Sequence, residues 1–208
     1  MNFATFFSNQ ARKPTGLFGR LVMSVIFDVG NARLNKFVNE AMSVQENDHI
    51  LEIGFGTGQL IHEMAKQIDR GLIEGVDFSK TMVSIAQKRN KKHIAGGKVK
   101  IVRGNFDEMS YEKEGFNKVC SVNTIYFWTD PQNTAKKIAS ILEPGGKFVG
   151  AFEDISQLER RNLNTEVFRL YSKDDVGTLL MNAGFTHGVR IESREIGSSV
   201  LNCAIALK

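Results

Sequence analysis

A short apolar run, Ile50-Leu51-Glu52-Ile53, ends directly in Gly54-Phe55-Gly56-Thr57-Gly58, after which Leu60, Ile61, Met64, Ala65 and Ile68 recur at helical spacing. A strand that enters a helix through three alternating glycines admits few architectures. The turn must be tight, and its backbone must be bare of Cβ atoms where a ligand approaches. Such a loop implies a nucleotide-type ligand. The dinucleotide fingerprint G-x-G-x-x-G is not met, because Gln59 stands where its third glycine belongs and the spacing is G-x-G-x-G. In the dinucleotide loop that third glycine serves helix packing beneath a pyrophosphate, and a ligand without phosphates has no need of it.

The rest of the chain repeats the alternation of strand and helix. Gly71 is expected to end the first helix before a strand at Leu72–Asp77. Ser79 caps a helix carrying Met82, Val83, Ile85 and Ala86, and Gly96-Gly97 separates it from a strand at Val99–Arg103. Phe116–Asn123 reads as the fourth strand. A stripe at Ala135, Ile138, Ala139 and Leu142 leads through Pro144-Gly145-Gly146 into a fifth, Lys147–Phe152. Ser172 caps one more helix, with Val176, Leu179, Leu180 and Ala183 on its buried face and Gly184 at its end. Val189–Arg194 and Val200–Leu207 are joined by only Glu195–Ser199, too short to cross a sheet, so they must be antiparallel neighbours. The pattern predicts an α/β chain with a largely parallel sheet. Two segments lie outside it, Leu17–Met42 and Glu153–Tyr171, and both are candidates for covering a site. The division expected is an N-terminal helical cap over 1–47 and a ligand-binding domain over 48–208.

Residues suited to a nucleoside fall at the strand ends. Asp77 closes the second strand, 19 positions after Gly58, where a carboxylate can accept from two ribose hydroxyls. Phe78 can lie against an adenine face, and Met82 can line the same slot. After the third strand, Asn105 offers a carbonyl oxygen to an exocyclic amine, and the Phe106 N–H can donate to a ring nitrogen.

Composition narrows the function classes. With 27 Lys+Arg against 23 Asp+Glu in 208 residues, the positive excess is too slight to imply nucleic acid as partner. The basic run Lys88-Arg89-Asn90-Lys91-Lys92-His93 is the best argument for RNA, but it reads better as a solvated helix end, so reversing its four Lys and Arg charges should spare activity. Cys120 and Cys203 lie in apolar stretches without metal-ligand or disulfide spacing, no metal site is expected, and a reducing, cytoplasmic location fits. No run approaches membrane-span length. The amphipathic start of the N-terminal helices leaves contact with a membrane surface open.

As an ordered set these residues resemble the class I S-adenosylmethionine (SAM)-dependent methyltransferases over about residues 48–207. Glu52-x-Gly54-x-Gly56-x-Gly58 is similar to their first motif, Asp77 to the acidic residue after their second strand, and Gly104-Asn105-Phe106 to their adenine motif. Leu142-Glu143-Pro144-Gly145-Gly146 resembles the turn before their fifth strand. The resemblance implies a Rossmann-like sheet of seven strands with an antiparallel last strand and helices on both faces; because the core elements supply no roof over the strand ends, the spare N-terminal segment is expected to form a helical lid. It implies SAM as cofactor, with Glu52 and the glycine loop holding the methionine end and Asn123 close by. Asn105 departs from the family's usual Asp and offers a weaker, uncharged acceptor. The nearest subgroup by resemblance is the small-molecule enzymes similar to those of ubiquinone and menaquinone synthesis, with RNA methylation or non-catalytic SAM binding as alternatives. Phe18, Leu21, Tyr126, Trp128 and Glu153 are the expected acceptor-pocket residues, with Tyr126, Glu153 and Asp154 the candidates for accepting a proton.

Overall fold

The protein is described by a computed structural model over residues 24–159, 169–196 and 199–208. The helix α1 (Ser24–Met42) precedes β1 (His49–Ile53), α2 (Gln59–Ala65), β2 (Leu72–Asp77), α3 (Lys80–Arg89), α4 (Lys91–Ala95) and β3 (Val99–Arg103). Then come β4 (Phe116–Val122), α5 (Pro131–Ile141), β5 (Leu142–Phe152), α6 (Ile155–Leu158), α7 (Lys173–Asn182), β6 (Val189–Ile196) and β7 (Ser199–Leu207). The seven strands form one sheet in the order β3-β2-β1-β4-β5-β7-β6. All neighbours from β3 to β5 are parallel, while β7 runs antiparallel to both β5 and β6. The architecture is the one expected: an α/β sheet, mostly parallel, with an antiparallel last strand and helices on both faces, including an N-terminal helix.

Period-two patterning divides the core. On one face Ile50, Ile73, Val149 and Ile205 pack with Leu34, Phe37, Val38 and Met42 of α1 and with Ile61 and Met64 of α2. On the other, Leu51, Val119 and Phe148 pack with Ile138 of α5 and Leu180 of α7. The strand order reverses between β1 and β4, so the loops after them diverge to opposite faces and open a crevice at their C-terminal ends, the place where open α/β sheets bind ligands.

Several boundaries differ from the sequence reading. Helix α2 ends at Ala65, and Ile68 is buried from the following loop. The helix after Ser79 breaks at Asn90, whose buried side chain bonds elsewhere, and restarts as α4. Strand β4 ends at Val122, because Asn123 takes a positive φ of 55°. Strand β5 begins at Leu142, with Pro144-Gly145-Gly146 absorbed in a register shift: Phe116 faces Leu142, but Lys118 already faces Lys147. Helix α7 carries the expected cap, with Ser172 and Asp175 bonding reciprocally. The strands β6 and β7 are each longer than expected toward their connection.

The C-terminal half of α1 is bound into the sheet. Lys118 donates to the Ser43 carbonyl (2.7 Å) and Lys147 to the Ala41 carbonyl (3.1 Å), satisfying acceptors that the helix end leaves open. Arg194 of β6 pairs with Glu40 and lies 3.9 Å over the Phe37 ring. Phe37 is 1% exposed. Phe37→Ala is expected to destabilise the protein by about 3–5 kcal/mol in urea denaturation, the cost of a large cavity in a packed core.

Candidate functional site

The glycine loop runs from the end of β1 into α2, and its three glycines meet different surroundings. Gly54 and Gly58 both have φ +70°; a Cβ on Gly54 would lie 2.5 Å from the Thr124 Cγ2, and one on Gly58 only 2.7 Å from the Ala86 Cβ and 2.9 Å from the Asn90 Nδ2. Gly56, with φ +54°, meets no atom within 4 Å. Two glycines thus allow the loop to seat against its own protein, and the middle one leaves bare backbone facing open space. Gly58 does the close-packing work of the third dinucleotide glycine, one position early.

Side chains from the β2–α3 unit hold three consecutive loop residues. The Gly56 N–H donates to Asp77 Oδ2 at 3.0 Å, and the Ser79 N–H donates to Oδ1 of the same carboxylate at 2.8 Å. Arg89 Nη1 donates to the Thr57 carbonyl (3.2 Å) and to Thr57 Oγ1 (2.6 Å). Asn90 Nδ2 donates to the carbonyls of Gly58 and Ala86, both at 3.0 Å. The expectation that Lys88–His93 is a solvated helix end therefore needs correction. Lys88, Lys91 and Lys92 are exposed, but Arg89 is half-buried and Asn90 fully buried, so reversing the charge of Arg89 would disturb the loop. One signal for this was available. Asn90 continues the buried stripe of Met82 and Ala86 at a spacing of four, and a polar residue on such a stripe needs a partner.

Above the loop lies a cavity of about 310 Å³. Of the ten residues assigned to a cofactor from sequence, Glu52, Gly54, Gly56, Asp77, Phe78, Met82, Asn105, Phe106 and Asn123 line it, and Gly58 lies behind the loop. The Asn105 carbonyl oxygen accepts from the Asp107 N–H at 3.3 Å, so its amide is also engaged in capping the short turn that follows. The wall includes residues that sequence reasoning missed. Asn31 and Asn35 reach it from α1, joined respectively to Asn123 (3.0 Å) and Gln59 (3.3 Å). Helical period alone could not show which face of α1 meets the site.

The acceptor candidates divide. Trp128 lines the cavity beside Phe127, its indole N–H donating to Thr124 Oγ1 at 3.1 Å. Tyr126 and Glu153 are not on the wall; the buried Tyr126 hydroxyl is engaged with the Glu153 backbone, whose N–H donates to it at 2.5 Å. Asp154 caps α6 and the start of α7, accepting from the N–H groups of Ser156 and Lys173. Phe18 and Leu21 lie outside the described residues, as does most of the stretch considered for membrane contact.

Burial governs the electrostatics. Glu52 is 2% exposed, and its Oε2 has no hydrogen-bond partner. Desolvation, reinforced by the Asp77 charge, pushes its carboxyl well above the usual range against the bond from the Ile61 N–H. Asp77 is raised to about 6 by burial, opposed by the Ser79 and Gly56 N–H bonds.

Comparison with known proteins places this arrangement. A family profile described as a methyltransferase domain matches residues 50–146. The methyltransferase YrhH of Bacillus subtilis is 31% identical over 109 residues, covering 52% of this chain and 59% of its own length. The sterol 24-C-methyltransferase of Clavispora lusitaniae is 25% identical over 181 residues, 81% of this chain and 48% of that one. The chain thus spans only about half to three fifths of the length of these relatives. Among solved structures, phosphoethanolamine N-methyltransferase 2 of Haemonchus contortus, in complex with phosphomonomethylethanolamine and S-adenosylhomocysteine, superposes with a TM-score of 0.77 at 14% identity, covering 100% of this chain and 60% of the other.

Two predictions come from this geometry. Gly58→Ala should lose about 2–4 kcal/mol of stability, from a strained φ plus overpacking, whereas Gly56→Ala should lose only about 1, from φ alone; thermal denaturation of the two variants separates them. The second concerns pH. A carboxyl raised in the folded state gives stability that is whole below about pH 4 and lost as pH rises through about 6, here up to about 3 kcal/mol for Asp77, with Glu52 acting in the same sense. Glu74, held at about 2 chiefly by the bond from His49, titrates below that window and in the opposite sense. Urea midpoints of the ligand-free protein should therefore fall between pH 4 and 7, and Asp77→Asn should flatten that slope.

Proposed function

We propose that this chain, which has the class I S-adenosylmethionine-dependent methyltransferase fold, binds SAM in the cavity over the glycine loop and transfers its methyl group to a small-molecule acceptor. The observation that carries the reading is the unpartnered, buried Oε2 of Glu52 on the wall of a cavity whose floor is the bare backbone of Gly56. A buried carboxylate oxygen without a donor is costly, and the α-ammonium of the methionine end would supply the missing donor and the opposite charge. Asp77, at the end of the adjacent strand, would accept from the ribose hydroxyls through lone pairs not used by Gly56 and Ser79. Phe78, Met82, Asn105 and Phe106 would enclose the adenine.

When bound, SAM would supply an electrophilic methyl on a sulfonium, to be taken by an electron pair of the acceptor while the C–S pair remained on sulfur. What this chain contributes is alignment and exclusion of water. Asn123, with its positive φ, and Asn31 of α1 close the cavity between the sheet edge and the N-terminal helix. Phe127 and Trp128 give the acceptor side flat apolar surface suited to a ring or an alkyl group. The sterol and phosphoethanolamine enzymes to which the chain is similar act on small acceptors as different as a carbon and an amine, as their names state, and a quinone-like acceptor fits the same aromatic wall. The inward orientation of Arg89 removes one charge from the basic run that would favour RNA.

Calorimetry should show low- to mid-micromolar binding of SAM or S-adenosylhomocysteine, roughly −7 to −8 kcal/mol, and no comparable binding of NAD. Asp77→Ala should weaken it by about 1.5–3 kcal/mol. Preference for NAD, or an unchanged SAM affinity in folded Asp77→Ala, would overturn the assignment.

A further inference from the structure

The β2–α3 unit is the only part of the described structure seen to bond with side chains to Gly56, Thr57 and Gly58 in succession, and two of its three contacts come from the far end of α3. Arg89 is the last residue of α3, and Asn90 is both its C-terminal cap and the residue that starts α4. Asn90 is 0% exposed. Its Nδ2 spans the Gly58 and Ala86 carbonyls, which fixes the amide orientation, since the flipped amide would set an oxygen against two oxygens. The Arg89 guanidinium grips Thr57 at backbone and hydroxyl together, with both charge-assisted bonds donated by Nη1. Both arrangements reach past the helix end to the loop, Asn90 while also holding the Ala86 carbonyl of α3.

We propose that Arg89 and Asn90 are positioning residues for the cofactor: Arg89 holds the Thr57 carbonyl and hydroxyl, Asn90 adds a second donor to the Gly58 carbonyl that already accepts from the His62 N–H of α2, and together they seat the end of the loop against α3 so that it presents the Gly56 backbone to the amino-acid end of the ligand. Carbonyl oxygens turned toward the cavity would repel the methionine carboxylate. Carbonyls drawn outward leave that wall to the Asn35 and Gln59 amides. The glycine at position 58 is part of the same device, since any Cβ there would displace the Asn90 amide. Asp77 fastens the loop from the nucleoside side and Arg89-Asn90 from the other, so removing the second fastening should affect one half of the ligand. This inference rests on the SAM reading given above.

The test is calorimetry with two ligands, S-adenosylhomocysteine and methylthioadenosine, which keeps the nucleoside and lacks the amino acid. Arg89→Met and Asn90→Ala should each weaken S-adenosylhomocysteine tenfold or more, by loss of hydrogen bonds that set the loop, and change methylthioadenosine less than twofold. Arg89→Lys, which can reach one Thr57 oxygen, should fall between. The exposed neighbours Lys88→Ala and Lys91→Ala should bind as wild type. Arg89→Met removes a half-buried side chain and is expected to fold even if Asn90→Ala does not. Wild-type affinity for S-adenosylhomocysteine in folded Arg89→Met overturns the inference, as does an equal loss for both ligands. A wild-type protein that binds neither ligand overturns the SAM reading itself, and the inference with it.

Discussion

The Asp77 carboxylate, shared between the Gly56 and Ser79 N–H groups, is the interaction on which the site depends. One oxygen fastens the glycine loop after β1, and the other fixes the turn after β2 where Ser79 caps α3. Two adjacent βα connections are thereby made into one rigid floor. The same α3 then returns at its far end to hold Thr57 and Gly58 through Arg89 and Asn90. A loop of alternating glycines has more conformational freedom than any other segment of its length, and here that freedom is taken up by three side chains from a single neighbouring unit.

Charge is managed differently on the two sides of the sheet edge. Within the cavity burial raises the proton affinity of both Glu52 and Asp77, the Asp77 charge adds to the effect on Glu52, and only backbone N–H groups oppose them. Such a pair is poorly solvated when alone and well suited to a ligand bringing an ammonium and hydroxyl donors. Outside it, cations meet helix ends and carbonyls: Lys118 and Lys147 at the end of α1, and Lys137 on the carbonyls of Phe106 and Met109 in the turn after β3. Lys137 thus braces the segment that carries Asn105 and Phe106, and it packs over the Phe106 ring as well.

Helix α1 joins the core to the cavity. Leu34, Phe37, Val38 and Met42 bury one side of its C-terminal half, while Asn31 and Asn35, further toward its start, reach the cavity wall. The bond from Asn123 to Asn31 is where that helix meets the end of β4.

Local chemistry made much of this legible in the sequence. The alternation of strands and helices, the antiparallel last pair, the Ser79 and Ser172 caps and the G-x-G-x-G loop all follow from short-range patterns, because period, capping and turn geometry act over a few residues. The wall residues at or just after the strand ends, such as Glu52, Asp77, Asn105 and Asn123, were legible for the same reason, since parallel strands bring their C-terminal ends to one edge. Tertiary structure decided the rest. That Arg89 turns inward while Lys88 and Lys91 stay in water, that Tyr126 bonds to backbone instead of lining the cavity, and that α1 presents Asn31 and Asn35 all depend on contacts between residues far apart in the chain. Which of several equally allowed directions a side chain takes is set by the surface that packs against it, and that surface exists only once the chain has folded.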